Sequence, residues 1–330
     1  MPMAEYQVVI VSQAGETWDV TQRVSTLTWS GSIKQVSRQL EAVMITPNDG
    51  SMPDLPCDLG NELRLWTGAR TRFWGNIVTR EKATGAATTE ITALDRGRFL
   101  AGNEGWYSFD QVAPEQAVRA LCRDFSIPVG ELAATGVTVS RKYPGAALSK
   151  IVDSLYTLAA EQTGKRYLAR FNGLGALEVV EKPADAVLEI APGKNLQTLR
   201  VTEDISDMQN SVAVYTDAGQ LVQVVEDKES TARYGQLRHV LTQKEGEDAR
   251  KEAQAWLEDN GLQQTMTVEC LGHPDLIAGN AVLLQGNQTG VKGLCWIDSD
   301  THTWKNGQHF CRLTLNFRNL MNETTAGQEL

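Results

Sequence analysis

Cysteine is sparse and oddly numbered: Cys57, Cys122, Cys270, Cys295 and Cys311 stand apart in 330 residues, and no Cys-x-x-Cys pair occurs. That spacing argues against a disulfide framework and against closely paired structural zinc ligands; it predicts buried free thiols made in a reducing compartment. Histidine is scarcer still, with four residues, which leaves few general bases for a hydrolase. Neither GxSxG nor HExxH is present. Lys and Arg number 31 against 41 Asp and Glu, a formal net charge of -10. A chain of that sign repels phosphate backbones and anionic bilayers, so neither specific nucleic-acid binding nor membrane attachment is expected. No apolar run approaches the ~20 residues of a membrane-spanning helix, which argues against membrane insertion. The opening MPMAEYQVVIV lacks a basic segment before its short apolar run. It reads as a first strand rather than a signal peptide, and synthesis in the cytoplasm follows.

What is present is β-pattern. The stretch Leu294 to Phe317 holds two runs rich in Thr, Trp, Ile, Leu and Phe on either side of Lys305-Asn306-Gly307-Gln308. Asn-Gly takes positive φ at both central positions of a type I′ turn, whose twist matches paired strands, so a β-hairpin is predicted. A two-residue loop places Trp304 opposite His309 and His302 opposite Cys311. Asp298, Asp300 and His302 alternate and so share one side of a strand. A carboxylate, two imidazoles and a thiol (Asp300, His302, His309 and Cys311) are the residue types that hold zinc. The same register sets Asp298 and Asp300 against Leu315 and Leu313, poor outer partners for a metal site, and a bulge would break the face apart. The favoured expectation is therefore no metal and no cofactor, with these polar residues at a strand edge or a subunit seam.

Residues 1–104 carry short strands bounded by turn residues: Tyr6 to Val11, Trp18 to Val20, Leu27 to Trp29, Glu41 to Ile45, Leu63 to Trp66, Phe73 to Val78 and Glu90 to Leu94, with a turn at Asn48-Asp49-Gly50. That spacing suggests an N-terminal barrel or sandwich. In 105–195 the period changes. Pro114 opens a helix whose apolar positions are Ala117, Val118, Leu121, Cys122 and Phe125, stopped by Pro128. A second helix is predicted from Leu148 to Thr163, with Gly164 at its left-handed end. A hairpin, Arg166 to Phe171 and Ala176 to Glu181, turns at Asn172 to Gly175. Gly173 and Gly175 do not complete a phosphate-binding loop, because a strand follows them rather than a helix. In 196–318 strands return, with one amphipathic helix from Glu247 to Asn260 whose stripe is Ala249, Ala253, Trp256 and Leu257. Residues 319–330 are a polar tail expected to fray. The fold class is β-rich α+β: two β-barrel or sandwich regions with an α+β module between them. Paired acids at Glu203-Asp204 and Glu226-Asp227 could suit glycoside cleavage, but strand neighbours point to opposite faces, so solvated edges are preferred. No catalytic residues are assigned.

Several stretches together resemble one family. Ile297-Asp298-Ser299-Asp300-Thr301-His302-Thr303-Trp304-Lys305-Asn306-Gly307-Gln308-His309, followed by Leu313-Thr314-Leu315, is similar to the C-terminal signature of the baseplate hub proteins of contractile phage tails, prophage-derived tails and tailocins (XkdQ/YqbQ-like hubs). Ala120 to Pro128 resembles the family's central segment, with Ser126 where Gly is expected. Glu161 to Tyr167 and Ile205 to Val212 are similar to two further stretches, in family order. The resemblance implies a structural protein with no catalytic residues to carry over, and two tube-type barrels per chain. A homotrimer would then offer six such units to a sixfold tail tube and threefold symmetry to a central spike. The implied partners are the tail tube or a tube-initiator protein, the spike, the tape-measure protein and other baseplate proteins, in a phage tail or tailocin particle released by lysis from a bacterial host. Three acidic copies would line a lumen that does not hold DNA. Two alternatives remain: a tail-associated cell-wall hydrolase, and a carbohydrate-binding β protein presenting an exposed Trp platform.

Overall fold

A computed structural model describes residues 6–47, 52–243, 248–286 and 289–330. The first strands are β1 (Tyr6–Val11), β2 (Thr17–Asp19), β3 (Val24–Ser32), β4 (Gln35–Ile45), β5 (Glu62–Thr67), β6 (Arg70–Lys82) and β7 (Thr88–Asp95). The turn expected at Asn48-Asp49-Gly50 lies outside the described residues. Alternation does the sorting. In β5, Leu63 and Leu65 are buried while Arg64 faces outward, and β7 buries Ile91 and Ala93 in the same way. The inward side chains of these strands, with Val8, Ile10, Leu27, Trp29 and Leu40 among them, form one apolar core.

Next come α1 (Gly97–Gly102), β8 (Glu104–Val112), α2 (Pro114–Asp124), β9 (Val129–Leu132), β10 (Val139–Ala147), α3 (Leu148–Thr163), β11 (Tyr167–Phe171) and β12 (Leu177–Glu181). Pro114 sits in the first turn of α2, and Ala117, Val118, Leu121 and Cys122 are buried. The third helix has the expected bounds and ends on Gly164 at φ 73°. The hairpin β11–β12 is closed by Asn172, whose Oδ1 accepts from the backbone N–H groups of Leu174 and Ala176 at 3.0 and 3.1 Å. Gly173 is there for close approach, since a β-carbon on it would lie 1.9 Å from the Thr71 carbonyl oxygen. The strands β8 and β10 were not foreseen. They pair antiparallel with shifts in register, one between Tyr143 and Ala146. Pro144-Gly145 falls in that shift and disguises β10 as a loop.

The remaining elements are β13 (Ala186–Ile190), β14 (Leu196–Asp204), β15 (Ser211–Thr216), β16 (Leu221–Glu226), α4 (Lys228–Tyr234), β17 (Arg238–Gln243), α5 (Arg250–Asp259), β18 (Gln263–Leu271), β19 (Ala281–Gly286), β20 (Val291–Lys305) and β21 (Gln308–Asn316). Packing divides the chain differently from the boundaries at 104, 195 and 318. One compact unit is Met1–Leu199 with Thr267–Leu330, and the other is Arg200–Met266. The large sheet runs β14-β18-β21-β20-β3-β4-β7-β6-β5-β1-β2, with β13 pairing β19 and β19 pairing β20. The join between early and late strands is β20 against β3, where Thr303 faces Thr28 and Trp304 faces Leu27. Trp304 thereby enters the apolar core of the N-terminal strands.

Residues 319–330 do not fray as expected. Lys142 and Gln328 exchange two backbone hydrogen bonds of 2.8 Å, and Ser154 Oγ donates to the Ala326 carbonyl at 2.8 Å. A polar segment of this kind docks through its backbone, which composition does not reveal. In the smaller unit, β16-β15-β17 form a three-stranded sheet. One face carries Val212 and Val214 against Ala249 and Ala253, flanked by Trp256 and Leu257. The amphipathic helix was expected from Glu247, which lies outside the described residues; α5 begins at Arg250. The short α4 was not foreseen. Asp227 caps it by accepting from Ser230 N at 3.1 Å, so that acid has a structural task. Among the described residues no helix is long and apolar enough to cross a membrane.

Candidate functional site

The hairpin β20–β21 turns on Asn306 at φ 52° and Gly307 at φ 70°, both left-handed, as the type I′ reading requires. Its register pairs Trp304 with His309, His302 with Cys311 and Asp300 with Leu313. One expected pairing fails. Leu315 faces Ile297, and the register shifts between Ile297 and Ser299, so Asp298 falls in a bulge. The Asp298 carbonyl accepts instead from Ile33 N at 2.9 Å. The extra residue breaks the simple Asp298–Asp300–His302 alternation.

Asp300 is buried and fully engaged. Arg38 on β4 grips it with both terminal guanidinium nitrogens, Nη1 to Oδ1 at 2.9 Å and Nη2 to Oδ2. The backbone N–H of Ala278 donates to Oδ1 at 2.6 Å. The Arg38 guanidinium lies 4.1 Å from the Trp29 ring centroid, which holds the fork in place.

Beside this pair lie three further polar side chains. His302 Nε2 is 3.1 Å from the Leu276 carbonyl oxygen, an acceptor only, which assigns the proton to Nε2 and leaves a lone pair on Nδ1. That lone pair faces His309 Nε2 at 3.0 Å and Cys311 Sγ at 3.1 Å, and the third edge, Cys311 Sγ to His309 Nε2, is 3.9 Å. Aromatic rings fix the planes. Trp304 stacks on His309 at 4.0 Å and 15°, and Trp29 lies 4.9 Å from His302. Gly272 backs onto the His309 ring so closely that a β-carbon would come within 2.1 Å of Cγ. His309 Nδ1 and the indole nitrogens of Trp29 and Trp304 are buried without a hydrogen-bond partner.

The electrostatics follow from burial. Loss of water pushes the His302 imidazole down to about 3, helped by the Arg38 charge, and burial pushes His309 down to about 3. Burial pushes the Cys311 thiol up, and the neighbouring Cys270 thiol adds to the effect. Cys311, His302 and Asp300 thus stand in the order nucleophile, base and acid, with His302 Nε2 3.4 Å from Asp300 Oδ2. Three features weigh against a working triad. Asp300 is neutralised by Arg38, the thiol is held protonated, and the three residues are 2%, 0% and 1% exposed for Asp300, His302 and Cys311. Of the four residues weighed as metal ligands, the structure converges His302, His309 and Cys311, whose ligand atoms lie within 4.8 Å of one another, and ties Asp300 to Arg38.

Other sequence-flagged residues stay apart. Glu203 and Asp204 are exposed, and Asp204 Oδ1 accepts from Ser206 N at 2.8 Å. His239 stacks on Trp256 at 3.7 Å in the smaller unit. His273 lies 3.8 Å from Asp275 and is half-buried. All five cysteines are free and buried, as expected. One residue was missed. Asp153 on α3 faces a groove of about 500 Å³ lined also by Ser30, Gln35, Lys150 and Asn322. Burial pushes its carboxyl up to about 7, and Asn322 Nδ2 donates to it at 2.7 Å. Its position on the polar side of a helix gave no signal, and no second acid of the groove is free to work with it, since Asp300 is held by Arg38.

Comparison with known proteins matches this architecture. Two curated relatives from Bacillus subtilis strain 168 align over most of the chain. The protein YqbQ is 25% identical over 307 residues, covering 88% of this chain and 90% of its own. The phage-like element PBSX protein XkdQ is 23% identical over 299 residues, covering 88% and 91%. Among solved structures, the 43 kDa tail protein of prophage MuSo2 from Shewanella oneidensis superposes with a TM-score of 0.73 at 14% identity, covering 96% of this chain and 100% of that one. The fold is therefore that of a phage tail protein. The YQBQ-like family model matches residues 27–316, and the chain belongs to that family.

Proposed function

We propose that the protein is a structural hub of a contractile phage-like tail. Three copies would close into a ring that joins the sixfold tail tube to the threefold central spike. The tube or tube-initiator protein, the tape-measure protein and other baseplate proteins are its neighbours in the particle. The observation that carries this reading is the end-to-end structural likeness to a prophage tail protein, joined to sequence similarity over most of the chain to a protein of a phage-like element.

The surfaces suit assembly. In the smaller unit, Val224, Ala213 and Val240 are aligned across β16, β15 and β17, on the face opposite Val212 and Val214. Val224 and Val240 are 39% and 55% exposed, and Leu221, Val222 and Leu237 are exposed beside them in sequence. Exposed apolar side chains on either side of the buried Ala213 suit packing against another chain. The large sheet also ends on β2 and β14, margins that sister copies can pair.

The hydrolase reading has less support, because the Cys–His–Asp sequence in space is sealed from solvent and its acid is neutralised. The test is co-expression with the tube and spike proteins, followed by native mass measurement and imaging. A trimer bound at one end of the tube is the expected result. A monomer that leaves tube and spike unconnected, while an intact tail forms without it, would overturn the reading.

A further inference from the structure

We infer that His302 Nδ1, His309 Nε2 and Cys311 Sγ bind a zinc-type divalent cation. The argument begins with an excess. With its Nε2 proton given to Leu276, His302 has one in-plane lone pair on Nδ1, and both His309 Nε2 and Cys311 Sγ point at it. One lone pair supports one well-directed hydrogen bond. A cation at the centre of the three atoms uses all three lone pairs at once.

The distances fit. Tetrahedral zinc with usual bond lengths separates two nitrogens by about 3.4 Å and a nitrogen from a sulfur by about 3.6 Å. The observed edges are 3.0, 3.1 and 3.9 Å, so shifts of a few tenths of an ångström complete the site. Imidazole and thiolate are the donors that a borderline cation prefers over calcium or magnesium. The surroundings are those of a ligand site too. The Leu276 carbonyl holds the far nitrogen of His302, which sets the tautomer for coordination through Nδ1. Trp304 stacks on the His309 ring and Gly272 packs closely against it, which fixes its plane.

Charge also points this way. Asp300 is already matched by Arg38 and asks for no further cation. Binding converts the Cys311 thiol to a thiolate and releases one proton to solvent. The three converging atoms leave the fourth position of a tetrahedral cation to water or another donor. The inference does not depend on the tail role.

The full chain is purified from zinc-supplemented medium, gel-filtered, and its metal content measured. One equivalent of zinc per chain is expected, and replacement by cobalt(II) should give a thiolate-to-cobalt charge-transfer band. Cys311→Ala and His309→Gln should lose the zinc, while Cys122→Ala, in the separate core around α2 and α3, should keep it. Where a variant fails to fold by circular dichroism, the parent's cobalt spectrum decides. A parent that stays metal-free with native dichroism and shows no such band, or a folded His309→Gln protein with undiminished zinc, overturns the inference.

Discussion

Arg38 and Asp300 are 262 residues apart in the chain and meet in a two-pronged ion pair with Nη1 to Oδ1 at 2.9 Å. The pair ties β4 of the N-terminal strands to β20 of the C-terminal hairpin, with Asp300 out of water. Removing one partner strands a buried charge, which typically costs 3–5 kcal/mol, roughly, in stability. Asp300→Ala should lose that much in urea denaturation. The double variant Arg38→Met/Asp300→Leu should recover a large part of it, and a double variant as unstable as Asp300→Ala would show that the pair is not what the site needs.

Gly272→Ala tests close packing. The added methyl meets the His309 ring at 2.1 Å, and the ring is held by Trp304, so backbone or ring must move. A loss of about 1–3 kcal/mol is expected. Gly102→Ala, where no atom lies within 4 Å, is the matched control and should change little.

The Asp153 carboxyl sets a pH dependence. Burial raises it from 3.8 to about 7, so between those values the folded chain holds a proton that the unfolded chain has released. Its contribution is complete below about pH 4 and is lost as pH rises to about 7. Asp153→Asn should flatten the fall in melting temperature between pH 5 and 8. Asp95, raised by burial to about 6, acts in the same direction and should leave a residual slope.

Val240→Asp separates folding from assembly. The side chain is 55% exposed on β17 of the smaller sheet, so the isolated chain should keep its stability within about 0.5 kcal/mol. Incorporation into tails should fall sharply. A variant that assembles normally would remove that strand from the assembly surfaces.

Much of the local structure was legible from residues alone. The Asn306-Gly307 turn, the stop at Gly164 and the stripe of α2 each rest on a chemical preference that acts within a few positions. The hairpin register that this turn dictates sets His302 beside Cys311. What stayed hidden is long-range. Nothing near Leu27 announces that Trp304 will complete its core, and nothing near Asp300 announces Arg38. The bulge at Asp298 is equally silent, because it depends on how β20 meets its partners rather than on its own pattern. Asp153 was missed because burial, not composition, is what alters its acidity.

The seam between β3 and β20 has a further consequence for how the polypeptide comes off the ribosome. The N-terminal strands cannot complete their interior until Trp304 has been synthesised and delivered to Leu27 and Trp29. Until then β3 exposes an unsatisfied flank while most of the chain is still emerging. Such distant pairing slows folding and leaves a window for misassociation. Nascent chains arrested before residue 291 should be cut readily by protease in the β1–β7 region, and should become resistant once residues 291–316 have cleared the exit tunnel.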